Sequence, residues 1–335
     1  MPEVADTAFL VFIAAVVMSY VYAFVGGFTD AANAIATSVG TRAFTPGQAV
    51  LIAGVFELLG ALTGTAVALT IGTGVVDTQF LTQGAVVAAL AGAMTWSLLT
   101  YRLGIPVSET HGLIGGILGV GLVYAGVDGI IWGGVLPVLL AIVVSPALGI
   151  LGGMIMYLLV QAIFSRTHRQ TGVTWTRNLQ RLSAVFMAFS HGRNDAQKPM
   201  GVLTLALVVY LGVPATEVPL WVVLSVGVVA ALGVAVGGWR IIRTLGMRIT
   251  GLDSAQGFAA ETSAATVLQL ASQVGIPVST THTITSAIVG VGAVSNWRSI
   301  RWVLVIEIVS SWILTLPATI LLGVIYALLL RGLLG

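Results

Sequence analysis

Cysteine is absent from the 335-residue chain, which excludes disulfides and thiolate metal ligation. Charge is the second scarcity. Asp, Glu, Lys and Arg make up 8% of positions against 57% hydrophobic, so long stretches carry too little polarity to face water on any side. The arginines cluster in loops, so the pI of about 9.2 provides no platform for nucleic acid, and none is expected as a partner. What fills the space is apolar. Ile130–Val160 and Trp302–Leu330 both exceed the roughly 20 residues with which a helix crosses a bilayer, and the lipid bilayer is the expected solvent. Phe9–Val25 is read as a retained span rather than a signal peptide, because no Lys or Arg precedes it. Abundant Gly, Ala, Ser and Thr suit close helix packing in lipid, and Trp132, Trp221, Trp239, Trp297 and Trp302 fall near span ends, where an aromatic belt is expected.

The charged stretch Phe164–Arg181, with Arg166, Arg169, Arg177 and Arg181, divides the chain and is assigned to the cytoplasm by positive-inside bias. This predicts an all-α integral membrane protein with a first repeat over 1–163, a cytoplasmic linker over 164–181 and a second repeat over 182–335. Crossings are expected at about 9–41, 48–71 and 130–160, then 182–212, 218–238 and 302–330. Three crossings per half is odd, so the halves have opposite orientation. Arg240, Arg243, Arg248, Arg298 and Arg301 then lie inside, Glu3, Asp6, Asp77, Asp128 and Glu217 outside, with both termini external. The stretches 82–127 and 255–296 each hold two short apolar arms around a polar tip. They read as re-entrant helical hairpins, tolerated at membrane depth only inside protein or along a watery cavity; two ordinary spans in place of each hairpin would give the same sidedness.

The hairpin tips carry an internal repeat, Gly104-Ile-Pro-Val-Ser-Glu-Thr-His111 against Gly275-Ile-Pro-Val-Ser-Thr-Thr-His282, differing only at Glu109 against Thr280. A second repeat lies near an expected break in the first crossing of each half: Gly27-Phe-Thr-Asp30-Ala-Ala-Asn33 against Gly192-Arg-Asn-Asp195-Ala-Gln-Lys198. Inverted repeats with polar breaks point to a transporter whose substrate and ions bind near the midplane.

Pro106 and Pro277 suit a helix start, which sets Ser108, Thr110, Ser279 and Thr281 with their N–H groups at helical N-termini. Two such termini facing each other can cradle a tetrahedral oxyanion. Asp30 and Asp195 need a partner at bilayer depth: a cation, a donor or a proton. Sodium fits, with oxygens from Asp30, Asn33, Asn194, Asp195, Ser108 and Ser279. A carboxylate beside the anion favours hydrogen phosphate over sulfate, because only the former can donate a proton to it.

On these four motifs the chain resembles the inorganic phosphate transporter (PiT) family, whose halves each carry a Gly-x-Asn-Asp-x-x-Asn-type signature and a Pro-Val-Ser-x-Thr-His-type hairpin. The resemblance implies phosphate uptake across the plasma membrane by symport with sodium or protons, often as a homodimer, with no cofactor beyond the co-transported ion. It assigns substrate contacts to Ser108, Thr110, Asn194, Ser279, Thr280 and Thr281 between the hairpin tips. Thr29 stands where the first signature has Asn, and Gln197 and Lys198 depart from the second. A tethered ammonium at Lys198 can take the electrostatic place of one sodium and pair with Asp195, leaving the two ion sites unequal.

His111 and His282 flank the anion site and are either proton carriers or braces of the hairpins. Glu261 on a hairpin arm is a coupling candidate; Glu57 and Glu307 carry less weight, since interhelical pairing or an interfacial position explains them. Arg193, beside Asn194, needs a partner or meets the anion directly. The competing readings are a sulfate or metal–phosphate permease of the same fold, a channel, and an intramembrane serine hydrolase built on Ser108 and His111. The last is disfavoured, because both halves keep the whole tip and neither serine lies in a Gly-x-Ser-x-Gly elbow.

Overall fold

The computed structural model describes residues 2–213 and 215–334, the side chains of 2–6 and 334 excepted, so the side chains of Glu3 and Asp6 lie outside the description. The described chain is helical throughout its regular structure: α1 (Pro2–Gly40), α2 (Pro46–Ala61), α3 (Ala66–Thr73), α4 (Gln83–Leu103), α5 (Glu109–Tyr124), α6 (Trp132–Phe164), α7 (Arg169–Asp195), α8 (Gln197–Leu211), α9 (Leu220–Val236), α10 (Trp239–Arg243), α11 (Ser254–Gln273), α12 (Thr280–Asn296) and α13 (Trp302–Leu334). By length and apolarity, four helices can cross a membrane alone, within α1, α4, α6 and α13. Two bent pairs qualify jointly, α2–α3 with a 72° turn and α9 running into Trp239–Arg248 with a 58° turn.

Local sequence sets the boundaries. Thr45 and Asp253 head capping boxes with Gln48 and Gln256, which orient the starts of α2 and α11. Gly104, at φ 72°, closes α4 in the left-handed conformation that glycine adopts without a Cβ penalty. The pairs α4–α5 and α11–α12 pack as helical hairpins. α13 covers the first hairpin and α6 the second, and both approaches are glycine-driven. A Cβ on Gly115 or Gly119 of α5 would collide with the Leu316 and Ile320 carbonyls of α13, and one on Gly149 or Gly153 of α6 with the Thr283 and Ala287 carbonyls of α12. The most apolar stretch of α4 is 61% buried, against 22% to 28% in α1, α6 and α13, so the hairpin arm lies inside the bundle while those three present apolar faces outward.

Three expectations need correction. α1 runs unbroken through Gly27–Asn33; only the second half is interrupted there, at Ala196 between α7 and α8. The charged stretch 164–181 is mostly the first turns of α7, since after Ser165–His168 the chain is helical from Arg169 to Asp195. Arg169, Arg177 and Arg181 lie on a helix that buries Thr176 and Gln180, a 3.6-residue pattern obscured by the charges. The crossings expected at 48–71 and 218–238 bend at residues 62–65 and 237–238. The crossing expected at 182–212 is likewise divided, between α7 and α8, and neither passes as a span by length and composition.

Candidate functional site

The two hairpin tips meet at the centre. Ser108 and Ser279 cap their helices, each hydroxyl accepting from a backbone N–H three residues on, that of His111 at 3.2 Å and of His282 at 3.1 Å. Thr110 Oγ1 donates to the Val278 carbonyl at 3.1 Å, tying one tip to the other. The N–H groups of Glu109, Thr110, Thr280 and Thr281 stand in first turns with no intrahelical acceptor, at the positive ends of two helix dipoles.

Against these tips α1 and α7 each present a carboxylate. Asp195 sits three residues before Lys198 and four after His191, and one carboxylate meets both: Lys198 Nζ at 2.9 Å from Oδ1, His191 Nε2 at 3.1 Å from Oδ2. Lys198 also reaches Asp30 Oδ2 at 3.7 Å. The second tip closes the group, with Thr280 Oγ1 donating to Asp195 at 3.1 Å and Thr281 Oγ1 to Asp30 at 3.4 Å. Asn33 Nδ2 donates to both threonine hydroxyls, at 3.2 and 2.9 Å. In the orientation that satisfies both of its amide atoms, Asn194 donates to Asp195 Oδ1 at 3.2 Å and to the Val278 carbonyl at 3.1 Å.

Three further residues join the group: His191 and Glu109, which had no predicted role, and Glu57, expected only as a weaker candidate. His191 Nδ1 lies 3.3 Å from Glu57 Oε2, so the imidazole bridges α2 to Asp195. Glu109 accepts from Thr29 at 2.9 Å and from Ser97, and faces the same cavity as Asp30, Glu57, Asp195 and Lys198. Glu109 was visible in the sequence as the single divergence between the two tip octets, whereas His191 and Glu57 become partners only because α2 packs on α7. Gly192 makes that approach possible, since a Cβ there would strike the Glu57 backbone. Four carboxylates thus surround one ammonium and one imidazole, a surplus of negative charge that a cation or protons must balance at membrane depth. Asp30, His191 and Asp195 offer ligand atoms within 4.8 Å of one another, and the Thr280 and Thr281 hydroxyls add the oxygens a hard cation takes. The cavity beside them, lined by Asp30, Glu57, Glu109, Asp195 and Lys198, measures about 20 Å³, room for about one water-sized occupant.

Other predicted residues lie apart. Arg193 Nη1 donates to Gln269 Oε1 at 2.8 Å, which gives the guanidinium its partner on α11. Glu261 is enclosed by Thr37, Ser183 and Gln180, with Thr37 Oγ1 at 2.6 Å. His111 and His282 stand behind the caps with ring centroids 4.8 Å apart, His282 stacked on Trp312 at 4.0 Å. Trp312 Nε1 donates to the Pro106 carbonyl at 3.1 Å, so this aromatic column braces the tips from behind.

The model of the phosphate transporter family, PHO4, matches residues 26–323. A probable low-affinity inorganic phosphate transporter of Rhizobium meliloti (strain 1021) is 42% identical over 322 residues, covering 95% of this chain and 96% of that one. One from Bacillus subtilis (strain 168) is 36% identical over 323 residues, covering 96% and 97%. A solved structure, the sodium-dependent phosphate transporter, superposes with a TM-score of 0.88 at 29% identity, over 96% of this chain and 99% of that one. These relatives are all named for transport, which leaves the hydrolase reading without support. The chain belongs to the PHO4 phosphate transporter family and is a multi-pass membrane protein.

Proposed function

We propose that the protein is a secondary carrier of inorganic phosphate, coupled to sodium, working by alternating access around the centre between the two hairpin tips. The observation that carries this reading is the convergence of Asp30 and Asp195, one from each sequence repeat, on Lys198 and on the hydroxyls of the second tip. The two first turns supply N–H groups for a tetrahedral oxyanion, and Lys198 supplies positive charge beside them. The carboxylates would hold sodium, while a carboxylate facing the anion accepts its proton and so selects hydrogen phosphate over sulfate. The neighbour's description as sodium-dependent favours the same ion. The halves are taken as inverted repeats with re-entrant hairpins, the arginine-rich ends in the cytoplasm and both termini outside.

Lys198 takes the place of one coupled cation in this scheme, so fewer sodium ions accompany each phosphate than in a carrier with an amide there. Proton coupling is the second reading, favoured by His191, whose ring bridges Glu57 and Asp195 and offers a path between two carboxylates. Phosphate uptake into proteoliposomes under an imposed sodium gradient, then under a proton gradient, with sulfate as competitor, separates them. Sodium-driven, sulfate-insensitive uptake lost in Asp30→Asn supports the main reading. Uptake driven by protons alone selects the second, and sulfate accumulation overturns the substrate.

A further inference from the structure

The fold builds the same clasp twice, with different chemistry. At the base of the first hairpin, Thr244 Oγ1 donates to the carbonyl of Gly104 at 2.9 Å. At the base of the second, Thr70 Oγ1 donates to the carbonyl of Gly275, also at 2.9 Å. Each threonine belongs to the bent-off end of a helix pair, Thr244 in the segment that follows α9 and Thr70 within α3, which follows α2, and each glycine has positive φ. A cavity opens beside each clasp, of about 420 Å³ at Gly104 and about 460 Å³ at Gly275. The second is lined by residues such as Leu69, Thr73 and Pro137, with no charged side chain. The first is lined by Arg102, Arg240, Arg243 and Arg248, with no carboxylate. Since the clasp forms without charge at Gly275, the clasp itself does not require the arginines.

Among the described residues, none of the four guanidiniums has a carboxylate within ion-pair distance. Membrane orientation alone asks for basic residues on one side; it does not ask four of them to share a cavity. Their convergence has a local cause. Residues Thr244–Arg248 form a π-turn, whose i to i+5 register brings Arg243 and Arg248, five apart, toward a common side. Arg240 Nη1 donates to the Arg102 carbonyl at 2.6 Å, which brings the end of α4 onto α10. Planar guanidinium forks match the oxygens of a phosphoryl group, and several around one cavity favour a multiply charged anion over a carboxylate or chloride.

We propose that this cavity is a second anion site, separate from the central one, that takes a phosphoryl group, either free inorganic phosphate or the phosphate of a lipid headgroup. Its occupant joins Arg102, on the arm of the first hairpin, to the three arginines of the α10 segment, and so holds that hairpin against the bent end of α9. The site stands whether the central ion is sodium or a proton.

The lack of native cysteine permits a reporter at one position. Leu103→Cys, at the cavity wall, is labelled with an environment-sensitive fluorophore in the full chain and reconstituted in phosphatidylcholine nanodiscs. Inorganic phosphate is titrated in one arm; in the other, phosphatidylglycerol replaces part of the lipid. A response to either probe, weakened by about tenfold or more in Arg240→Gln/Arg243→Gln yet retained in Asp30→Asn, supports the site and names its source. The melting transition of each variant in detergent establishes that it is folded, and Arg102→Gln provides a second carrier of the same loss should the double variant unfold. No response to either probe, or a response unchanged in folded arginine variants, overturns the proposal; so does a response abolished by Asp30→Asn alone, which would assign it to the central site.

Discussion

Replacing Lys198 by Met keeps the aliphatic stem and removes the charge that Asp30 and Asp195 share. At 2.9 and 3.7 Å, and an effective dielectric constant of about 20, the two carboxylates attract the ammonium by roughly 10 kcal/mol in all. Much of that is offset by the hydration lost on burial, and deleting one partner of a buried pair leaves a net cost of about 3–5 kcal/mol, because the carboxylates remain. The variant then takes up a compensating cation: an extra sodium ion if the site is an ion site. Expected outcomes are a melting transition that falls in sodium-free buffer and recovers with sodium, and a larger charge moved per phosphate, read as the ratio of current to radiolabelled uptake on supported membranes. Since about 1.4 kcal/mol is a factor of ten in binding, a recovery of about 3 kcal/mol corresponds to roughly a hundredfold gain in apparent sodium affinity. An unchanged charge-to-phosphate ratio with unchanged sodium dependence would refute the idea that the ammonium stands in for a cation.

Gly192→Ala forces a Cβ into the Glu57 backbone of α2, so it should lower stability by about 1–3 kcal/mol or more and separate Glu57 from His191; Gly47→Ala, where the added Cβ meets nothing within 4 Å, is the matched control in a detergent melt. Thr280→Val removes the donor to Asp195 and the acceptor for Asn33 at nearly constant volume, at a cost of about 1–3 kcal/mol. It should reduce phosphate uptake at least several-fold with the fold intact, and wild-type uptake would argue against a role for this hydroxyl. Glu109→Thr gives the first tip the residue of the second, so the chain should fold normally while the ion dependence of uptake changes; transport indistinguishable from wild type would remove Glu109 from the machinery.

Membrane character, the paired tips and the acidic signatures follow directly from the sequence, for physical reasons. Scarce charge and long apolar runs leave few solvents other than lipid. Ser108 and Ser279 cap helices that begin one residue later, with Pro106 and Pro277 in the non-helical link just before them, so the tip geometry is local and legible. Asp30, Asp195 and Lys198 stood out because an ionised group in an apolar run needs a partner. Lys198 was legible as a partner of Asp195; what the sequence hid was the rest of the group. That α1 stays unbroken at Gly27 while the second half breaks at Ala196 follows from Pro199, which lacks the N–H that would bond the Asp195 carbonyl, where α1 has Ala34. His191 read as an ordinary position in α7 and Glu57 as a stray acid in α2. Only the close approach at Gly192, between residues 135 positions apart, turned them into one bridge to Asp195. The same limit applies at the Gly104 clasp, where Arg102 and Arg240 look like orientation signals in one dimension. A residue's chemistry is written in its letter, but the sharing of a charge is set by distance, and distance between remote segments belongs to the fold.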